Sequence, residues 1–332
     1  MYTGGNPRNT RILVVRLGAM GDIIHALPAA ASLKHGHPGS RLTWAVEPRW
    51  ALLLEGNPFV DRVLPLDRHT VRGLRRAWRE LREEPFDFAV DFQGLIKSAL
   101  TACAARTGRI IGLHESLARE PLAALFYSGR VRVRPGHRVD RNLELAAAAG
   151  GTRETPVFPL PQGKPEGALP ERFVLASPLS GWPAKQWPLE HYGRLAAHLR
   201  RAAGLALVLN GPPSAQQVLA AVPDAVVHLS SIEGLIDATR RAAAVVGGDS
   251  GPLHLAAALG KPGVAIYGPT DPAQTGPYGG RLKVLRSAAA VTSYKRHGQI
   301  EPSMREISPE AVLAALELQQ LAARPYRAES LA

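Results

Sequence analysis

Gly247–Pro272 reads GGDSGPLHLAAALGKPGVAIYGPTDP, and its order of turns and apolar runs predicts a compact strand–helix–strand unit. The apolar run Ala242–Val246 just before it suits a buried strand. Pro252 suits the first turn of a helix, where no backbone donor is needed. Gly260 and Pro262 stop that helix before a second strand over Gly263–Tyr267. Such units build parallel, doubly wound sheets, and their ligand end lies where the strands finish. The loops GGDSG and GPTDP both leave at that end. Free amides at a helix start, with the positive end of the helix dipole, favour an anion such as a diphosphate. Asp249, Ser250, Gly251 and Pro252 therefore form a candidate anion-binding turn, and His254, about one helical turn beyond Ser250, faces the same mouth. The plainer reading keeps Asp249 and Ser250 as helix caps and His254 as a core histidine.

The same alternation runs outward through the chain. Arg11–Arg16 carries ILVV, followed by the loop Leu17–Gly21 and a helix expected from Asp22 to about Lys34. Further strands are expected at Leu42–Val46, Arg62–Pro65, Phe88–Phe92 and Arg109–Gly112. A proline- and glycine-rich stretch, Thr155–Pro170, interrupts the pattern. It restarts with Phe173–Ala176, a helix over Leu189–Ala203, then Ala206–Asn210, Val226–Leu229 and the opening unit, and it ends in a helix over Ser308–Ala323. The expected organisation is α/β: two Rossmann-like domains, residues 1–155 and 172–332, joined by a linker over residues 156–171. They are expected to face across a cleft, with the last helix returning to the first domain. No sequence repeat relates the halves.

Composition narrows the class. The 332 residues are 45% hydrophobic, ample for two cores, and no window approaches the eighteen or so apolar residues of a membrane span. The start, MYTGGNPRNTRILVV, lacks a signal peptide's apolar core, so a cytoplasmic protein is expected. One cysteine, Cys103, excludes an internal disulfide and a cysteine metal cluster, and it reads as a small buried hydrophobe. The formal charge of +12 favours polyanions or phosphorylated substrates. Arg68, Arg72, Arg75, Arg76, Arg79 and Arg82 recur at steps of three and four, with Val71, Leu74, Trp78 and Leu81 on another face. This is a basic amphipathic helix, which suits either plain solvation or an anionic head-group surface. No aromatic RNP-like run, zinc spacing or helix-turn-helix accompanies the charge, which argues against nucleic acid.

Three further constellations sit at strand ends. Gly18-Ala19-Met20-Gly21-Asp22 lacks the GxGxxG spacing of a dinucleotide site. There Asp22 reads either as a cap or as a carboxylate able to take a proton from an acceptor hydroxyl. Ser180-Gly181-Trp182-Pro183-Ala184-Lys185-Gln186-Trp187-Pro188 holds Lys185 on a stiff loop, where its ammonium can neutralise a departing diphosphate. Asp91-Phe92-Gln93-Gly94-Leu95-Ile96-Lys97-Ser98, with Arg119 in Ala118-Arg119-Glu120-Pro121, offers cations for an acidic acceptor or for surface pairs of little energy.

Together GAMGDIIHALPA, DFQGLIKSA, AREPLAALFY, the loop ending in KQWP and GGDSGPLHLAAAL with YGPTDP resemble the ADP-heptose glycosyltransferases, glycosyltransferase family 9. QGLIKSA and AREPLAALFY are most similar to the branch that adds the first heptose, and the likeness spans about residues 11 to 280. It implies a GT-B fold, an acceptor domain followed by a nucleotide-sugar domain, and an inverting transferase without metal or other cofactor. The implied reaction moves L-glycero-D-manno-heptose from ADP-heptose to Kdo of Kdo-lipid A, at the cytoplasmic face of the inner membrane and its anionic surface. By the same resemblance Asp22 is the catalytic base, acting at an ordinary carboxylate pKa. Lys185 meets the donor diphosphate, Ser180 and Gly181 line the donor loop, and Asp249 lies near the heptose hydroxyls. Ser250, Gly251, Pro252 and His254 form the phosphate turn, while Lys97, Arg119 and Arg68 bind acceptor anions. One departure stands out. Many relatives carry a ribose-binding glutamate where this chain has Asn210-Gly211-Pro212-Pro213-Ser214-Ala215-Gln216, leaving either Gln216 as the substitute or the ribose held by other groups. The alternatives are a transferase of a later heptose or another sugar, and a non-catalytic nucleotide-sugar or polyanion binder.

Overall fold

The structure is a computed structural model that describes residues 10–293 and 298–317. The chain divides into two compact units between Pro161 and Gln162. In the first, β1 (Arg11–Val15), β2 (Arg41–Val46), β3 (Arg62–Pro65), β4 (Phe88–Asp91), β5 (Ile110–Leu113) and β6 (Gly129–Val131) form one parallel sheet. Its order is β3-β2-β1-β4-β5-β6. A separate two-residue ladder joins Pro85–Phe86 to Arg106–Thr107. The central strands are continuous apolar runs because helices cover both faces of the sheet. The helices are α1 (Met20–Ile24), α2 (Leu27–Gly36), α3 (Val71–Arg82), α4 (Ile96–Ala104) and α5 (Arg138–Ala148). On one face Leu13, Val15 and Ala89 share a core with Ala77 and Leu81 of α3, Ala99 and Ala102 of α4, and Ala123 and Ala124 of a short 3-10 helix, Pro121–Phe126. α2 packs against α5.

The second unit repeats this order. Its strands β7 (Phe173–Ala176), β8 (Ala206–Gly211), β9 (Val226–Leu229), β10 (Ala244–Gly248), β11 (Gly263–Tyr267) and β12 (Leu282–Arg286) run parallel as β9-β8-β7-β10-β11-β12. Its helices include α6 (Leu189–Ala203), α7 (Gln216–Ala220), α8 (Ile232–Arg241) and α9 (Gly251–Ala258). The α6 side chains Tyr192, Leu195 and Leu199 are fully buried with Trp187 against Val174, Leu207 and Val246. Burial of leucines such as these contributes about 1.5–3 kcal/mol each.

Several expectations change. The helix expected from Asp22 splits into α1 and α2, because Pro28 lies in the first turn of α2 and can donate no backbone hydrogen bond to the turn before it. The strand expected to end at Val246 continues through Gly247 and Gly248. The edge strands β6 and β12 escaped the sequence reading: both are short, charged and partly exposed, as edges commonly are. Cys103 is exposed, since α4 buries Ser98, Ala99, Thr101 and Ala102 on its other side. The arginine helix is confirmed over Val71–Arg82, but it buries Gly73, Ala77 and Leu81, whereas Val71, Leu74 and Trp78 face outward. Of the final helix, Pro309–Ala315 packs on α6 within the second unit, and residues 318–323 lie outside the described residues.

Candidate functional site

In the second unit the site is built on the carboxyl ends of β7, β10 and β11. A Cβ placed on Gly248 would lie 2.7 Å from the carbonyl oxygen of Lys185, so the lysine loop rests directly on the end of β10. That approach sets Lys185 beside Asp249: Nζ donates to Oδ2 at 2.6 Å and sits 4.8 Å from the centre of the Trp182 ring. Asp249 Oδ1 lies 3.1 Å from His254 Nε2. Burial opposes the charge on Asp249, but His254 and Lys185 prevail and hold its carboxyl well below the usual carboxylate range. The aspartate is therefore an ion-paired group and not a helix cap.

Ser250 occupies the N-cap position of α9, yet its hydroxyl makes no capping bond, and it is buried without a hydrogen-bond partner. Pro252 falls in the first turn, with Gly251 beginning the helix. Thr270, in the loop after β11, also has a buried hydroxyl without a partner. Unpaired buried hydroxyls are costly, so Ser250 and Thr270 have donor capacity to spare for a ligand oxygen. The sequence reading noted the GPTDP loop but not Thr270 itself. The Ser180 hydroxyl donates to the Trp182 carbonyl at 2.8 Å, while Gln186 Nε2 donates to the Ser180 carbonyl at 3.0 Å, tightening the lysine loop. Gly181 is its exposed tip. Gln216 opens α7 and is exposed, and Asn210 is committed to Ser230, through a 2.7 Å bond to its hydroxyl, and to His228.

In the first unit Asp22 stands on the third residue of α1, where Ala19 is the N-cap and no side chain caps the helix. Its Oδ2 meets Arg16 Nη2 at 2.7 Å and its Oδ1 meets Arg138 Nη1 at 3.1 Å. Burial pushes against its charge, but Arg16, Arg138, His25 and Arg119 outweigh it and hold the carboxyl well below the usual range. The ordinary pKa expected for Asp22 is thus corrected, because two guanidiniums clamp it. Arg16 and Arg138 were missed: Arg16 closes the first apolar run without any motif, and Arg138 lies 116 residues from Asp22.

Two of the cations expected to meet an acceptor, Arg68 and Lys97, gather on a carboxylate the sequence reading passed over. Glu47, at the end of β2, receives Arg68 at 2.8 Å and Arg49 at 3.0 Å, with Lys97 Nζ at 3.9 Å. Burial opposes its charge, yet the arginines hold its pKa below normal. Its backbone amide donates to the Leu17 carbonyl, which ties this cluster to the loop carrying Asp22. Arg119 is exposed, whereas Glu120 accepts the Ile96 amide at 2.6 Å and so pins the AREP loop to the start of α4. The main chain there comes close: a Cβ on Gly94, whose φ is +66°, would lie 3.3 Å from the Arg119 nitrogen. Beneath, buried Asp91 accepts the Ser98 and Tyr127 hydroxyls, each at 2.7 Å, and the Gln93 amide at 2.8 Å. Gln93 in turn accepts the Leu17 amide at 2.7 Å. Among the described residues no group of three or more His, Cys, Asp and Glu side chains is arranged to hold a metal ion.

Comparison with known proteins agrees with this architecture. The model of glycosyltransferase family 9 (heptosyltransferase) matches residues 74–305. Lipopolysaccharide heptosyltransferase 1 of Escherichia coli K12 is 31% identical over 308 residues, 83% of this chain and 93% of the relative. The Pseudomonas aeruginosa protein of the same name is 34% identical over 296 residues, 81% of each chain. The solved structure of the E. coli heptosyltransferase WaaC with ADP superposes with a TM-score of 0.75 at 26% identity, covering 94% of this chain and all of that one. The two Rossmann-like units are accordingly those of the GT-B fold. The chain belongs to glycosyltransferase family 9, the heptosyltransferases, and is a glycosyltransferase.

Proposed function

We propose that the protein transfers L-glycero-D-manno-heptose from ADP-heptose to Kdo of Kdo-lipid A, with inversion, during assembly of the lipopolysaccharide inner core at an anionic cytoplasmic membrane surface. The observation that carries the donor half is the Lys185–Asp249–His254 cluster with the unpartnered hydroxyls of Ser250 and, in the loop after the neighbouring strand β11, Thr270. As the bond from the anomeric carbon to the diphosphate oxygen breaks, negative charge grows on ADP. Lys185, the amides opening α9 and the two hydroxyls are suited to receive it. Asp249 turns Lys185 toward that charge, and each of its oxygens, already bonded once to Lys185 or His254, has a further lone pair to accept a sugar hydroxyl.

Asp22 takes the proton of the attacking acceptor hydroxyl as the new carbon–oxygen bond forms. A carboxylate held below its usual pKa is a weak base toward a resting alcohol, so transfer comes late, when the oxygen already bears positive charge. Arg68, Lys97 and Arg119 offer positive charge to the carboxylates and phosphates of such an acceptor. All of this chemistry uses the chain's own groups, so turnover is expected to survive a chelator. The test is release of ADP from ADP-heptose with Kdo-lipid A, in parallel with an already heptosylated acceptor and with other nucleotide sugars. Turnover only on the heptosylated acceptor would assign the protein to a later heptose, and turnover only with another donor would overturn the sugar.

A further inference from the structure

The first unit carries its exposed large apolar side chains on one layer. On α3, Val71 is 68%, Leu74 50% and Trp78 55% exposed. Leu100 of α4 is exposed as well, as are Leu122 and Leu125 of Pro121–Phe126. α3 packs beside α4, and α4 beside Pro121–Phe126, while the inward alanines of all three share one core. Their outward side chains therefore belong to one surface of the domain. Phe126, the last residue of that 3-10 helix, is 38% exposed, and among the described residues Val157 alone of the unit's exposed large hydrophobics lies outside these elements.

Along α3 the arginines run beside this stripe. Arg76 pairs with Glu80 at 2.6 Å, and the Arg82 guanidinium lies 4.9 Å from the Trp78 ring centre. Arg72, Arg75 and Arg79 have no carboxylate within ion-pair distance among the described residues. An apolar ridge bordered by free guanidiniums and a tryptophan is the pattern of a helix lying in a lipid interface, with rings and branched side chains at the acyl boundary and cations on phosphates. A second copy of this chain would set arginine against arginine, and a nucleic acid would leave Trp78 and Leu74 in water. No helix among the described residues is long and apolar enough to cross a membrane.

We propose that the outer surface of α3, α4 and Pro121–Phe126 docks on an anionic lipid bilayer, with Val71, Leu74 and Trp78 inserted and Arg72, Arg75 and Arg79 on lipid phosphates. This deepens the reading of a lipid-borne acceptor, and its test is independent of turnover. The full chain is sedimented with vesicles of phosphatidylcholine alone or mixed with phosphatidylglycerol. Wild type is expected to partition onto the anionic vesicles about tenfold better than onto neutral ones. Leu74→Ser with Trp78→Ser, and separately Arg75→Glu with Arg79→Glu, are expected to lower that partition about tenfold with unchanged thermal melts. ADP release with a delipidated acceptor should not change. Failure of wild type to bind, equal binding to both vesicles, or variants that bind as wild type does would each overturn the proposal. So would a wild-type dimer that L74S/W78S dissolves in the absence of lipid. Vesicle binding that behaves as expected in a protein inactive on every acceptor would uphold the docking face while removing the functional reading.

Discussion

Asp22 and Asp249 each follow a central strand, one in each domain, and each is an aspartate held far below its usual pKa chiefly by the two basic groups that pair with it. The partners differ. Asp249 is joined by a lysine and a histidine, whereas Asp22 is clamped between two guanidiniums. An ammonium on a flexible stem can be shared with an arriving phosphate, but planar guanidiniums fix both the charge and the orientation of the carboxylate they grip. The second domain thus presents a cation that an aspartate steers, and the first presents an anion that arginines steer. Substituting the two aspartates separates these roles most sharply. Asp22→Asn is expected to lower kcat about a thousandfold with donor KM nearly unchanged. Asp249→Asn is expected to act mainly through donor KM. Steady-state ADP release resolves both, and equal effects on KM would break the comparison.

Folding stability tests the same contrast from another side. The Asp249 side chain is 5% exposed, so Lys185→Ala leaves a buried charge with only His254 beside it and is expected to cost about 3 kcal/mol in denaturant unfolding. Adding Asp249→Asn should recover most of that loss. The sign with pH follows from the depressed pKa of Asp249. Its pairing stabilises the fold above about pH 4, the value for an unfolded aspartate, and the stabilisation fades as pH falls toward the folded pKa. Lys185→Ala should therefore narrow the gap between neutral and acid stability. An undiminished gap would mean that His254 alone holds the carboxylate.

How far the two sites can be read from the chain follows from the same difference. Asp249, Ser250 and His254 fall within one turn and one helix, and Lys185 announces itself between two tryptophans, so short-range chemistry exposes the proposed donor side. The central strands were equally legible, because apolar runs of strand length between helices mark parallel strands covered on both faces, whereas their order and the charged edge strands β6 and β12 were not. The first domain's cluster depends on chain distance. Arg138 reaches Asp22 across 116 residues, and Glu47 reads as an ordinary polar residue until β2, the Arg68 loop and α4 bring three cations to it. The outward turn of Val71, Leu74 and Trp78 was hidden for a related reason. The helical spacing puts Val71, Leu74, Trp78 and Leu81 on one apolar face, and only packing reveals that the small residues Gly73 and Ala77, with Leu81, are the ones buried.

Loosening one arm of the Asp22 clamp should give a smaller effect than removing the carboxylate. Arg138→Gln leaves Arg16 in place at 2.7 Å, so kcat at neutral pH is expected to fall by no more than about tenfold. The informative readout is the pH profile. Arg138 is among the charges that depress the Asp22 pKa, so its loss raises that pKa and moves the acid limb of kcat upward. An acid limb that stays in place would show that Arg16 alone sets the charge of Asp22, and a limb that moves downward would remove Asp22 as the titrating group.

The smallest expected effect lies at Glu47, where the first domain also builds a steered-cation arrangement like that of the second. Glu47→Gln keeps the size of the side chain and its backbone bond to Leu17, but removes the charge that gathers Arg49, Arg68 and Lys97. Two of those cations have solvent to retreat to, with Arg49 69% and Lys97 45% exposed, so the lost pairing is worth about 1 kcal/mol. If Glu47 aligns these cations for an anionic acceptor, the loss appears as roughly a fivefold rise in acceptor KM with kcat and donor KM unchanged. Release of the carboxylate also leaves three cations uncompensated, which strengthens their pull on any anion as salt is lowered. The KM difference between Glu47→Gln and wild type should accordingly shrink at low ionic strength. A variant that instead binds acceptor more tightly at every salt concentration would show that Glu47 holds the cations back from the acceptor, making it a competitor for them where Asp249 is a guide for Lys185.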